Sequence, residues 1–317
     1  MNNKKVINFL MKYIMHIVLI LMCIFFALSS NKFLTSRNLL IIAKQISISS
    51  LVAIGTTMII ITGNIDLSVG SIVAFVSVCT GLMLKNGVPI FITIIATLII
   101  SGILGFISGI VTAKLKLHSF LVTLALMQVF RGLAQTLTGG YPVSSLPKAF
   151  GKISSYKIGG VFPILILYMV IFYFIFSYIM KYTAFGRSIY AIGGNEESAR
   201  LSGINTDKVK TWTFIISSML CGVAAILLTS KVRSGDPTCA VGWEMNAIAA
   251  AIIGGTNMMG GEGKLGGTVI GLLFVGILSN GMTLLNIQPY PQNVVMGLLI
   301  FMAVIINSVQ QKNFKNQ

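Results

Sequence analysis

PIFITIIATLIISGILGFISGIVTA, residues 89–113, runs its whole length without a charged side chain. A helix of about 20 apolar residues crosses a hydrocarbon core about 30 Å thick, and in lipid only a helix or a closed barrel satisfies its own backbone. The stretch therefore reads as a membrane-spanning helix. Similar runs lie near 13–30, 39–62, 67–84, 118–138, 161–180, 211–230, 244–257, 265–286 and 291–308, about ten spans in all. The expected fold is an all-α integral membrane protein, one domain over 1–317, with tails at 1–12 and 309–317 and a long hydrophilic gap at 181–210. The eighth run, which includes Ala247 to Ile253, is too short to cross straight and is expected as a half-helix or re-entrant segment. The second is polar at its start, which places Lys44 and Gln45 at an interface with the lysine reaching outward.

Composition agrees: 55% of the 317 residues are hydrophobic and only 9% charged. Such a chain has too little polar surface for a water-soluble globule, which excludes a disordered protein, a disulfide scaffold and an ordinary cytosolic enzyme. The formal charge of +16 invites a nucleic-acid reading. However, the basic residues sit in short gaps between apolar runs, as at Lys114 and Lys116, and form no stripe that could track phosphates, so no nucleic-acid partner is expected. Four single cysteines and two histidines show no metal-ligand spacing, and no catalytic constellation is present.

With the N-terminus inside, Lys4, Lys5, Lys12, Lys114, Lys116, Lys181, Arg187, Arg200, Lys208, Lys210, Lys264, Lys312 and Lys315 fall on the inner side. Lys32, Arg37, Lys85, Lys148, Lys152, Lys157, Lys231 and Arg233 fall outside. The positive-inside rule then puts both ends in the cytoplasm. A cleavable signal peptide ending near Ala27-Leu28-Ser29 is an alternative that leaves the remaining topology unchanged.

Gly63 to Gly70 (GNIDLSVG) and Gly261 to Thr268 (GEGKLGGT) each follow a small-residue helix, precede an apolar one and lead to a proline turn, at Pro89 and Pro289. This reads as a weak internal repeat with interrupted helices; two ordinary glycine-rich turns remain the plainer alternative. Asp66 is expected to face protein, a watery cavity or the interface, either capping the half-helix that carries Ser68 and Val69 or serving a gate or proton coupling. Gln128, Arg131 and Gln135 share a helical face, and an interior Arg131 is expected to pair with Asp66 or Glu244. Glu244 and Asn246 are candidate caps of the short eighth segment.

In the 181–210 gap, Gly193-Gly194 precedes Asn195, a good N-cap, then Glu196 and Glu197, Arg200 four residues after Glu196, and Gly203 where a terminal glycine belongs. A helix of about two turns follows, too short to persist unsupported. Either it docks on a partner through Ala199, Leu201 and Ile204, or it rests on its own membrane domain.

GNIDLSVGS at 63–71, SFLVTLALMQVFRGL at 119–133, TAFGRSIYAIGGNEESARLSGIN at 183–205 and AIAAAIIGGTNMMGGEGKLGGTVIG at 247–271 together resemble the ribose-type permease subunits of bacterial ABC sugar importers, over about residues 40–308. Asn64, where that family usually has glycine, and Trp243, where a smaller aromatic is common, depart from it. The resemblance implies a permease of the bacterial plasma membrane that pairs with a second permease chain, expected to be a copy of itself. It further implies a cytoplasmic ATPase that binds ATP and Mg²⁺, an external sugar-binding protein and a monosaccharide carried by alternating access. This chain has no phosphate-binding loop of its own and is expected to bind no cofactor. The resemblance makes Gly193, Gly194, Asn195, Glu196, Ala199, Arg200, Leu201, Gly203 and Ile204 the ATPase-coupling segment. Asn64, Asp66, Ser68, Phe120, Gln128, Arg131, Glu244 and Asn246 form the candidate translocation path or gate. The outer segment from Gly139 to Gly160 is a candidate landing surface for the binding protein or an ordinary loop. The rival from another class is an ion-coupled transporter or channel in which Asp66 titrates.

Overall fold

The computed structural model describes the backbone of residues 2–315 and the side chains of 15–302 and 305. The expected tail residues Lys4, Lys5, Lys12, Lys312 and Lys315 lie outside the described side chains.

Helices α1 (Asn2–Ser29), α2 (Ser36–Ile61), α3 (Val69–Lys85), α4 (Ile90–Lys114) and α5 (Ser119–Thr138) come first. A short α6 (Lys148–Ser155) and a two-stranded hairpin, β1 (Lys157–Ile158) with β2 (Phe162–Pro163), precede α7 (Ile164–Tyr182). Then follow α8 (Ala184–Gly194), α9 (Glu196–Leu201), α10 (Thr206–Val232), α11 (Trp243–Ile253), α12 (Leu265–Leu284) and α13 (Pro289–Lys315). Among the described residues, α2, α4, α5, α7, α10 and α12 are each long and apolar enough to cross a membrane, while Met15–Ser29, α3 and α11 are shorter apolar helices. Every expected span coincides with one of these or with α13, and the eighth is the half-helix α11.

The centre of the bundle is α10, packed by α4, α2 and α3. Lipid offers no hydrophobic gain for joining helices, so close backbone approach and interhelical hydrogen bonds must do it. Gly55 of α2 lies on Ser217, Gly105 of α4 on Phe214 and Ser218, and Gly222 of α10 on Ser101. Hydroxyl pairs lock further contacts: Ser77–Thr229 at 2.7 Å, Thr80–Thr97 at 2.9 Å and Thr57–Thr268 at 2.8 Å. Outward, α4 presents Ile95, Ile99, Ile103 and Phe106, an exposed stripe at helical spacing suited to lipid. The N-terminal helix is integrated, since Phe26 is buried against Gly281 of α12.

The segment from Gly139 to Gly160 contains more order than the sequence suggested. Phe150 of α6 is fully buried, and Ser154 donates to the Leu227 carbonyl (2.7 Å) while its amide donates to Ser230 Oγ (3.1 Å). These contacts seat α6 on the last turns of α10.

Candidate functional site

The candidate coupling segment is built from successive caps. Thr183 Oγ1 accepts from the Gly186 amide (3.2 Å) to start α8, and Asn195, with extended backbone, accepts from the Ser198 amide (2.8 Å) to start α9. Gly203 ends α9 at φ +86°, with its amide on the Arg200 carbonyl (3.0 Å) and the Ile204 amide on that of Ala199 (3.1 Å), a glycine termination of the Schellman type. Asn205 Oδ1 then accepts from the Lys208 amide (3.0 Å) and opens α10. Arg200 lies 3.7 Å from Glu196 and 3.8 Å from Asp207, and Lys210 pairs with Glu196. The half-exposed Arg200 pairs each contribute well under about 1 kcal/mol, but together with the more buried Lys210 pair and the caps they hold a six-residue helix that could not stand alone. Ala199 is buried within this chain, whereas Leu201 is 81% exposed. The helix thus rests on its own domain and still presents an apolar side chain outward.

Beneath it the last turn of helix α8 and two glycine turns meet backbone to backbone. The Gly261 amide donates to the Ile61 carbonyl (2.9 Å), tying the turn after α11 to the end of α2. A Cβ on Gly193 would stand 1.7 Å from the Ile61 oxygen and 2.3 Å from the Gly261 nitrogen. One on Gly260, at φ +91°, would stand 2.7 Å from the Gly63 nitrogen. The coupling segment is therefore seated directly on both glycine turns that the sequence paired as a repeat. Tyr190 of α8 adds a hydrogen bond to the Gly263 carbonyl (2.9 Å), and burial pushes its phenol above the ordinary range, keeping it a neutral donor. A polar cleft of about 540 Å³ opens beside this junction, lined among others by Asn64, His118, Ser119, Glu196, Arg200 and Lys210. It joins Asn64 of the path set to the coupling residues.

Asp66 is fully buried, and its Oδ1 accepts from the Ser68 amide (2.8 Å) and hydroxyl (2.6 Å). The carboxylate thus closes a local turn into α3 and does not reach the Val69 amide; Oδ2 has no hydrogen-bond partner among the described residues. Asn64 is buried on its neighbour, donating to the Thr62 carbonyl and hydroxyl at 3.2 and 3.0 Å. Two groups absent from the sequence reading hold this extended segment: Ser119 Oγ accepts from the Ile65 amide (2.9 Å) and Thr123 Oγ1 from the Leu67 amide (3.1 Å). Their only signal was an i, i+4 pair of hydroxyls on α5.

The expected direct ion pair of Arg131 with Asp66 or Glu244 does not form among the described residues. Its Nη1 donates to the carbonyls of Pro237 and Cys239, both at 2.8 Å, and its charge acts on Glu244 only at longer range. The irregular 233–242 segment has carbonyls without helical partners, and a guanidinium supplies several donors at once. Glu244 instead turns back to accept from the Gly242 amide (3.2 Å), a cap as expected. Asn246 is not one, since its side chain makes no hydrogen bond among the described residues; only its amide does, to the Gly242 carbonyl. Phe120, Gln128 and Gln135 lie exposed on α5. Among the described residues the ion pairs are confined to the coupling segment.

The permease component of branched-chain amino acid transport systems is the family whose sequence model matches, over residues 38–304. The chain belongs to this permease family. It is 37% identical to the ribose import permease protein RbsC of Haemophilus influenzae over 97% of this chain and 96% of that one. Identity to RbsC of Bacillus subtilis is 38%, over 91% and 90% of the two chains. To the L-arabinose transport system permease protein AraH of Escherichia coli it is 36%, over 95% and 92%. No solved structure matches. As a family permease the chain is a multi-pass membrane protein and not itself an enzyme.

Proposed function

We propose that this chain is the translocation subunit of an ATP-driven importer of a monosaccharide, ribose or a similar sugar, in the bacterial plasma membrane. Two copies form one path, an external binding protein delivers the sugar, and a cytoplasmic ATPase carrying ATP and Mg²⁺ drives opening and closing. Both termini and the 181–210 segment face the cytoplasm, as the bias of basic residues indicates. The observation that carries the reading is the coupling segment: an outward Leu201 on the capped helix α9, which follows directly on α8, whose Gly193 is clamped against the turns after α2 and α11. A force on α9 therefore reaches both interrupted helices through backbone rather than through yielding side chains. The ATPase biases two membrane conformations only by its different affinity for each, and a rigid seat of this kind lets that difference act on the path.

Co-purification tests it. A tagged chain is expected to bring an ATP-hydrolysing subunit with it, and Leu201→Asp, on a side chain that the fold does not bury, is expected to release that subunit. Retention by the variant contradicts the docking role. The rival ion-coupled reading draws on the unpartnered Asp66 Oδ2. It requires transport that follows an ion gradient, is lost in Asp66→Asn and ignores Leu201.

A further inference from the structure

A second cleft lies where α2 faces α11, α12 and α13. Its lining includes Gln45, Ser49, Trp243, Asn246, Ser279 and Met296, and carries no charged side chain. Among the described residues the side chains of Gln45, Asn246 and Ser279 make no hydrogen bond, and the Ser49 hydroxyl donates to its own helix at Gln45 (3.1 Å), leaving its oxygen free to accept. About two turns nearer the start of α2, by contrast, the polar groups are used for structure: Asn38 and Asn280 exchange two amide hydrogen bonds of 2.9 Å that pin α2 to α12. Gln45 lies nine residues into α2, about 14 Å along it, and α11 begins at Trp243 and runs for about half a bilayer. The cleft thus lies within the span, nearer the end where α2 begins and α12 finishes, and inward of the interface expected for Gln45. Polar side chains left without partners there face water or a solute, because lipid would leave them unsatisfied.

We propose that this cleft is a contact site for the transported solute, and that it takes a neutral, unphosphorylated aldose. The proposal rests on the importer reading above and names a place on the path. An indole ring suits the apolar C–H face of a sugar, whose C–H groups stack on the negative aromatic face, while two amides and two hydroxyls supply donors and acceptors for its hydroxyl groups. The absence of any cation in the lining disfavours a sugar phosphate, whose charge would enter an uncompensated site. The cleft measures about 70 Å³, well below the roughly 300 Å³ at which small-molecule pockets begin, so in this conformation it receives an edge of the ring. Exposed Gln45 marks its open side. The site is a station in passage rather than a high-affinity pocket.

The chain has two tryptophans, and Trp212 is 56% exposed at the far end of α10, so Trp212→Phe leaves Trp243 as the sole reporter. In nanodiscs, D-ribose, L-arabinose and D-glucose are each titrated against its emission, with ribose 5-phosphate beside them. A saturable change with at least one neutral sugar, absent with the phosphate and lost in Gln45→Leu/Asn246→Leu, is expected. In the assembled transporter Trp243→Leu should slow uptake about tenfold and Trp243→Phe restore most of it, with the co-purifying ATPase unchanged. Wild-type uptake by Trp243→Leu and by the double variant in intact complexes overturns the site, as does an emission equally sensitive to the phosphate. A chain that recruits no ATPase overturns the importer reading and the site with it.

Discussion

Gly193→Ala is a one-carbon change with a disproportionate consequence. The added Cβ would lie 1.7 Å from the Ile61 carbonyl oxygen and 2.3 Å from the Gly261 amide nitrogen, and those two atoms share the 2.9 Å hydrogen bond that ties the turn after α11 to the end of α2. Backbone cannot swing aside as a side chain can, so α8 must lift by roughly 1.5 Å to restore ordinary contact distances. Overpacking of this kind costs about 1–3 kcal/mol and the lost hydrogen bond about 1 more, together roughly 2–4 kcal/mol. Gly194→Ala is the control on the adjacent residue, where a Cβ meets nothing within 4 Å. There the substitution is neutral or slightly stabilising, because alanine restricts the unfolded chain. Thermal unfolding in detergent and ATP-driven uptake are measured on both. Gly193→Ala should unfold earlier and lose most uptake for a given amount of chain, while Gly194→Ala matches the parent. Equal behaviour of the two variants would refute the glycine junction as the link between coupling segment and path.

Other outcomes follow from the same geometry. Ser119→Ala with Thr123→Val strands the Ile65 and Leu67 amides and should lower stability by about 1–3 kcal/mol for each, read by denaturation in detergent. Arg131→Gln removes the tie to the Pro237 and Cys239 carbonyls, and protease cleavage within 233–242 should accelerate relative to the parent. Asn195→Ala removes the cap of α9 at about 1 kcal/mol, and affinity for the ATPase should fall severalfold in a pull-down titration. Asp66→Asn keeps an oxygen to accept from Ser68, so assembly and uptake should stay within a few-fold of the parent.

The membrane class and the spans were legible because uncharged runs of sufficient length have one reading in lipid, and α11 was recognisable as short from Ala247 to Ile253 alone. The caps at Asn195 and Gly203 were legible because they act within four residues of chain. What was not legible depends on partners distant in sequence. Arg131 announces a need for acceptors but not that two carbonyls over 100 residues away meet it. Gly63, Gly193 and Gly260 each look like turn glycines, and nothing in any one of them says that the three touch. Trp243 stood out only as an oddity, and its place beside Gln45 and Ser279 needed the packing of four helices. Helix α6 was missed because its eight residues carry a buried stripe too short to register as a pattern.

Reconstituting the chain with its ATPase and binding protein in liposomes, with all ion gradients collapsed, asks the deciding question. Sugar accumulation that requires ATP and vanishes in Leu201→Asp is the result expected of a permease driven through α9. Accumulation that ignores ATP, returns with an imposed proton or sodium gradient and disappears in Asp66→Asn would contradict it.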